Sequence, residues 1–561
     1  MTDRRTMNPD LVEPRPRRRT IASLALLGLL LGLAGTSTLL PASANAAPAA
    51  SAPAAALTGA ARPSALAGQW YPDEAATILV EVQRHLRAAA NAPAIKGKPI
   101  ALITPHAGWR YSGPAAATAF RLLKEGDFSR VVVVAPSHHT SFSGFALDDA
   151  SAYQTPLGEI PLSADGVAAL RDESLARKVP GSTEREHAVE IELPFLQATL
   201  RRFDLVPVLA GQTNPEQERA FAKRLAALND GRTLYVFSSD FTHYGPRFGY
   251  SPFGETLGAH DRIRELNSKA IEKLVRIDAP GFRAHYNNTG NSICGHAGLG
   301  VLMELLPLIA PKATGVLLDH YASQDIQGMN DDSSISYVAI AYTSEPPPAT
   351  PPLSAPPAYE PITPETPPLS EAIGDRLVRL ARAALRTQLA GGADLYQELA
   401  RFPAGDEFER LQGFFVTLNR KNPAEIAAEG KLRGCVGTIF PAYPIYQAVV
   451  EAAVSAALKD RRFRPVQAGE LDRLEVEVTA LSVPKPIASW KEIKIGTHGI
   501  VLQKGERRAL FLPQVAPEQG WTLEETLDAL SRKAGLPPGA WREGAQFSVF
   551  TGQVFQEKHS T

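Results

Sequence analysis

The chain has 561 residues, room for two or three domains, and its 44% hydrophobic and 21% charged content is that of ordinary globular protein. A net charge of -1 excludes nucleic-acid binding driven by bulk electrostatics, so no nucleic-acid partner is expected. Only two cysteines are present, Cys294 and Cys435, so the chain is not a disulfide scaffold and has no thiol cluster able to hold an iron–sulfur group.

Taken in chain order, the first 46 residues read as an export signal. Arg15, Arg17, Arg18 and Arg19 precede the apolar stretch from Ile21 to Leu40, and Ala44-Asn45-Ala46 offers a small-x-small cleavage site. The paired arginines lean towards the twin-arginine route over the general secretory one, and an uncleaved membrane anchor is the alternative. Either way the body of the protein is expected outside the cytoplasm, in the periplasm or an equivalent extracytoplasmic space. Residues 47–63, rich in Ala, Pro and Ser, read as a flexible tether.

Residues 64–344 alternate strands and helices. Pro99 to Ile103 reads as a strand, Gly113 to Lys124 as a helix opened by Gly-Pro, and Val131 to Val134 as a second strand. That order is a βαβ unit with parallel strands side by side or nearly so. Leu205 to Leu209 and Leu234 to Phe237 follow as buried strands, with Pro207 suggesting an edge position for the former. Gly298 to Ile309 reads as an apolar helix interrupted late by Pro307, flanked downstream by strands at Val316 to Leu318 and Ser336 to Tyr342. The expected fold is α/β, a mostly parallel sheet with helices on both faces. Residues 345–368 are too proline-dense to pack and read as an extended linker. Beyond it, residues 369–561 combine an amphipathic helix (Ile373, Leu377, Leu380, Ala384, Leu385 and Leu389 on one face), strands at Phe414 to Leu418 and Leu474 to Val478, and a helix from Tyr446 to Leu458. This irregular order is α+β.

Ten of the twelve histidines lie in the first domain, and the chemistry is expected there. His106 and His138 each follow an apolar strand, at the carboxyl edge where open α/β sheets bind ligands. The strand ending at Phe237 delivers Asp240 and His243 to the same edge, and Cys294 stands just ahead of a helix, where the dipole favours thiolate. Two imidazoles, one thiolate and open positions suit iron or copper, with zinc possible. Asp240 would orient His243 to move protons. His139, His187 and Glu190 are further candidates for the pocket wall, and His296 competes with Cys294 as a ligand. His85 and His260 read as solvated, His320 as satisfied in the core and His498 as a turn residue. In the second domain Lys431-Leu432-Arg433-Gly434-Cys435-Val436-Gly437-Thr438 stands out, and it reads either as a tight glycine-rich strand with a buried thiol or as a site where Arg433 favours a Cys435 thiolate or binds an anion.

The motifs Gly68-Gln69-Trp70-Tyr71-Pro72, Pro105-His106-Ala107-Gly108, Pro136-Ser137-His138-His139, Glu186-His187-Ala188-Val189-Glu190, Ser238-Ser239-Asp240-Phe241-Thr242-His243 and Ile293-Cys294-Gly295 resemble those of the MEMO family. That family shares its fold with the class III extradiol ring-cleaving dioxygenases. The resemblance implies metal ligation by His106, His138 and Cys294, with Asp240 and His243 as the neighbouring pair. A cysteine where the dioxygenases place a carboxylate weakens the case for ring cleavage and favours redox chemistry or copper or iron binding. Leu432 to Thr438 and Asp460-Arg461-Arg462-Phe463 resemble the AMMECR family. Their fusion is similar to the AmmeMemoRadiSam system, which implies a separate radical-SAM protein as partner, alongside a small-molecule substrate. Three functions are thus expected in competition: a metal-dependent, dioxygenase-like oxidoreductase, a metal-holding or partner-docking protein without turnover, and thiol chemistry at Cys435.

Overall fold

The computed structural model describes residues 57–254, 259–326, 333–344, 368–401, 408, 410–439 and 443–558. The expected export signal, the start of the tether and almost all of the proline-rich stretch lie outside the described residues. Among the described residues no helix is long and apolar enough to cross a membrane. The end of the tether is tied down: Gly59 and Arg62 bridge to Ala150 and Tyr153, and Arg62 Nη2 donates to the Glu186 carbonyl at 2.9 Å.

The first part is built on a nine-stranded mixed sheet. Its strands used below are β1 (Ala101–Thr104), β2 (Arg130–Pro136), β3 (Phe145–Leu147), β4 (Ala176–Arg177), β5 (Asp204–Ala210), β6 (Thr233–Ser238), β7 (His243–Tyr244), β8 (Thr314–Ala322) and β9 (Ser334–Thr343). The order is β8-β9-β1-β6-β2-β5-β3-β4, with β7 paired to β9. The central four, β1, β6, β2 and β5, are mutually parallel, and β9 closes against β1 antiparallel. Both faces are covered, which is why the interiors of these strands are runs of apolar residues, with polar ones such as Thr104, Arg130, Asp204 and Ser238 at their ends. Leu102, Val131, Val133 and Val236 pack into one core layer, while Ala101, Ile103, Val132, Val134 and Phe237 pack into the other.

Parallel strands all end at one edge, so β1, β6 and β2 bring three successive polar loops together. β6 lies between β1 and β2, one strand away from direct pairing of the βαβ unit. Three details differ from the sequence expectations. Pro207 is not on an edge strand, because β5 is flanked by β2 and β3; the β3 ladder starts at Val208, so Pro207 has no partner residue on that side. The first crossover helix, α1 here (Trp109–Phe120), starts before Gly113 and carries Pro114 inside it. The helix α2 (His296–Ile309) continues through Pro307 instead of breaking there.

The second part packs the helices α3 (Glu371–Ala390) and α4 (Ile445–Leu458) on a four-stranded antiparallel sheet that includes the strands Gly413–Arg420, Leu432–Thr438 and Leu474–Leu481. A smaller four-stranded sheet follows. The two parts share an apolar core in which Ile78 and Val82 cluster with Leu377, Tyr446 and Val450. Around it, Lys459 Nζ meets Glu74 at 2.6 Å, Gln388 Oε1 accepts from Ala76 N at 3.2 Å, and the Arg201 guanidinium lies 4.0 Å over the Tyr396 ring.

Candidate metal centre

The loop after β1 carries His106 and the loop after β2 carries His138. Cys294 approaches from the loop before α2. The ligand atoms of the three residues lie within 4.8 Å of one another. Cys294 Sγ is 3.2 Å from His106 Nε2. Each imidazole is gripped through its other nitrogen: His106 Nδ1 is 2.8 Å from Ser238 Oγ, and His138 Nδ1 is 2.8 Å from Glu186 Oε1. Each ring therefore has Nε2 left for a cation, and a partner holding Nδ1 is the usual support of a metal-bound histidine. His106 is buried, Cys294 is half-buried and His138 is exposed, so the group opens to solvent on one side. Two nitrogens and a sulfur at this spacing fit a transition metal.

Local sequence explains how the sulfur reaches this position. A Cβ on Gly295 would stand 2.4 Å from Ser239 Cβ, so only glycine lets the Cys294 loop lie this close to the end of β6. Gly295 N also donates to Ser239 Oγ at 3.1 Å.

Burial dominates the electrostatics. It pushes the pKa of His106 well below the usual imidazole range, reinforced by His138 and His187, so the ring is neutral and able to coordinate. Burial, with Asp240 nearby, raises the Cys294 thiol well above its ordinary value. The expectation that a helix start favours its thiolate is corrected here: Cys294 precedes the cap residue Gly295, and desolvation outweighs the dipole. A cation held here would supply positive charge and favour thiolate as the coordinating form.

Asp240 and His243 both flank the group, but not as an orienting pair. The Asp240 carboxylate accepts from His106 N at 2.8 Å, whereas the His243 ring is held by Ser292, with Nδ1 3.2 Å from its carbonyl oxygen. Asp240 thus pins the backbone that carries a ligand. Burial raises the Asp240 pKa, opposed by His243 and by the amides of His106 and Ala107.

The other candidates separate cleanly. His187 belongs to the pocket: its ring stacks on His138 with centroids 4.2 Å apart, and lies 5.4 Å from His106. His139 is exposed, 6.2 Å from His187 on the outer side. Glu190 is not a pocket residue. It accepts from Ser64 Oγ, from the amides of Ala65 and Leu66 and from Tyr71 OH, clamping the segment before Trp70. His296 turns away, stacked on Tyr286 at 4.2 Å. His85 is buried against Gly113 and beside Glu81, not solvated. The carboxylates that the sequence reading missed are Glu186, inside a motif already quoted, and Glu192, which accepts from Thr104 Oγ1 at 2.8 Å beneath the centre.

In the second part, Arg433 does not serve Cys435. The strand pairing skips Arg433, which forms a bulge, and its guanidinium pairs with Glu470 at 2.9 Å. Cys435 Sγ accepts from Thr417 Oγ1 at 3.3 Å, and Cys435 N donates to Asp460 at 2.9 Å. Burial raises the Cys435 thiol above its ordinary pKa.

Residues 62–341 match the family described as Memo-like protein, and residues 378–555 match AMMECR1. Protein MEMO1 of Danio rerio is 31% identical over 292 residues, half of this chain and 96% of the relative. Protein PF1979 of Pyrococcus furiosus is 40% identical over 192 residues, a third of this chain and 89% of the relative. Among solved structures, the uncharacterized protein PH0010 from Pyrococcus horikoshii is 35% identical, covering 34% of this chain and 94% of its own, with a TM-score of 0.30.

Proposed function

The chain belongs to the Memo-like family through residues 62–341 and to the AMMECR1 family through residues 378–555, and on that premise we propose that its first part is a metal-dependent redox protein. The observation that carries the reading is the His106–His138–Cys294 group, with donor atoms within 4.8 Å and the far nitrogen of each ring already held. Iron or copper is the metal this reading takes. When bound it supplies Lewis acidity and one-electron chemistry.

The chain's own residues do the rest. Ser238 and Glu186 set the two imidazoles, Asp240 fixes the His106 backbone, and His243 stands beside them with its Nδ1–H donated to the Ser292 carbonyl, which leaves Nε2 as the nitrogen able to accept a proton. A small-molecule substrate would enter on the exposed His138 side. The resemblance to the AmmeMemoRadiSam system supports a separate radical-SAM protein as partner, and the basic, then apolar, amino terminus supports export.

Elemental analysis of the purified full-length protein, repeated for His106→Ala and Cys294→Ser, tests the proposal. Iron or copper in the parent and its loss from both variants is the expected result. Equal metal content in all three defeats it.

A further inference from the structure

We propose that His138, Glu186 and His187 form a second cation site, which shares His138 with the first and takes a borderline divalent ion such as zinc or cobalt. The three donor atoms lie within 4.8 Å of one another. Glu186 Oε1 is 2.8 Å from His138 Nδ1 and 3.4 Å from His187 Nδ1, so one carboxylate oxygen faces two imidazole nitrogens. Donors bound to a tetrahedral ion at about 2.0–2.1 Å stand about 3.3 Å apart, a value that lies between the two observed distances.

The site is built in advance. Glu186 is 1% exposed, and its other oxygen accepts from His138 N at 2.7 Å, so the carboxylate has no freedom to swing away. The stacking of the two rings, 4.2 Å between centroids and 30° between planes, keeps both nitrogens on the carboxylate side. With Nδ1 on this side, His138 has Nε2 for the first group. An imidazole bridging two cations through its two nitrogens is therefore the arrangement this geometry allows. The second group has two nitrogens and an oxygen, harder than the two nitrogens and sulfur of the first, so the two positions differ in metal preference. Binding would replace the proton shared between His138 and Glu186, releasing it to solvent.

Cobalt titration of the chelator-treated full-length chain separates the two positions, because only a thiolate-bound cobalt gives a strong near-ultraviolet charge-transfer band. The expected result is two equivalents, one with that band and one with ligand-field absorption alone. Cys294→Ser removes the band and leaves the other equivalent. His187→Ala, and the more conservative His187→Gln, remove the equivalent without the band and retain the band, which also reports a folded site. Saturation at one equivalent in the parent, persistence of both equivalents in the His187 variants, or loss of both equivalents in both His187 variants overturns the inference. A parent that binds the second equivalent but never shows the band would instead sink the first site alone.

Discussion

Ser238 Oγ lies 2.8 Å from His106 Nδ1 and 2.7 Å from the carbonyl oxygen of Ala188. A hydroxyl has one proton, and the carbonyl can only accept, so Ser238 donates to Ala188 and must accept from His106. His106 is thereby held as the Nδ1–H tautomer, with the lone pair of Nε2 directed at the Cys294 side. Ser238→Ala removes that control without touching a ligand. Metal affinity, measured by competition with a chelator, is expected to fall about 10–100-fold, with the fold retained. An unchanged affinity would mean the tautomer is set elsewhere.

Gly295→Ala tests how the sulfur is delivered. The new methyl collides with Ser239 at the end of β6, so the loop must back away and carry Cys294 with it. Loss of metal binding is expected, together with a destabilisation of about 1–3 kcal/mol from the forced shift. Titration of metal and of denaturant on the same variant checks both.

His187 sets a limit on acid stability. Burial, then the neighbouring His138, lowers its pKa from 6.5 to about 4 in the folded chain. Between those values the unfolded chain takes up a proton that the folded chain refuses, so stability falls as pH drops from 6.5 towards 4. The melting temperature of the metal-free protein should therefore fall more steeply from pH 7 to pH 5 in the parent than in His187→Gln. Parallel curves would remove His187 from the account.

Glu192 acts in the opposite direction. Burial raises its carboxyl from 4.5 to about 8, with the hydrogen bond from Thr104 only partly offsetting this. From pH 4.5 to 8 the folded chain keeps a proton that the unfolded chain releases, so stability declines as pH rises through that window. Glu192→Gln keeps the shape and needs no proton. Its melting temperature should exceed the parent's most at pH 8 and least at pH 5, and a constant difference across that range would count against the buried-acid assignment.

The shared core of the two parts predicts a single calorimetric unfolding transition for the full-length protein. Lys459→Ala breaks an ion pair whose lysine is 58% exposed, and should leave that transition nearly unmoved. Two resolved transitions in the parent would show that the contact of Ile78 and Val82 with the second part is too weak to couple them.

Much of the site was legible because it depends on strand order. Apolar runs such as Val131 to Val134 announce buried parallel strands, and parallel strands must end together, so His106, His138 and Asp240 were readable as neighbours from the alternation of elements alone. Helix faces in the second part were legible for the same periodic reason: Ile373, Leu377, Leu380, Ala384 and Leu385 are all buried.

What local pattern could not supply was the pairing of side chains distant in sequence. Glu186 and Glu190 look alike in one short motif, yet one faces the imidazoles and the other clamps residues 64–71, because only a tertiary neighbour distinguishes two carboxylates on adjacent turns. Arg433 and Cys435 stand two residues apart, as strand neighbours on one face should, and a bulge separates their roles. The chain's own order of residues determined which elements form and at which sheet edge the polar loops emerge, since periodicity and connection handedness act locally. Which nitrogen of each histidine is left free, which acid holds it, and how deeply Cys294 is desolvated were decided only by packing, because hydrogen-bond partners and burial come from parts of the chain that meet in space and not in sequence.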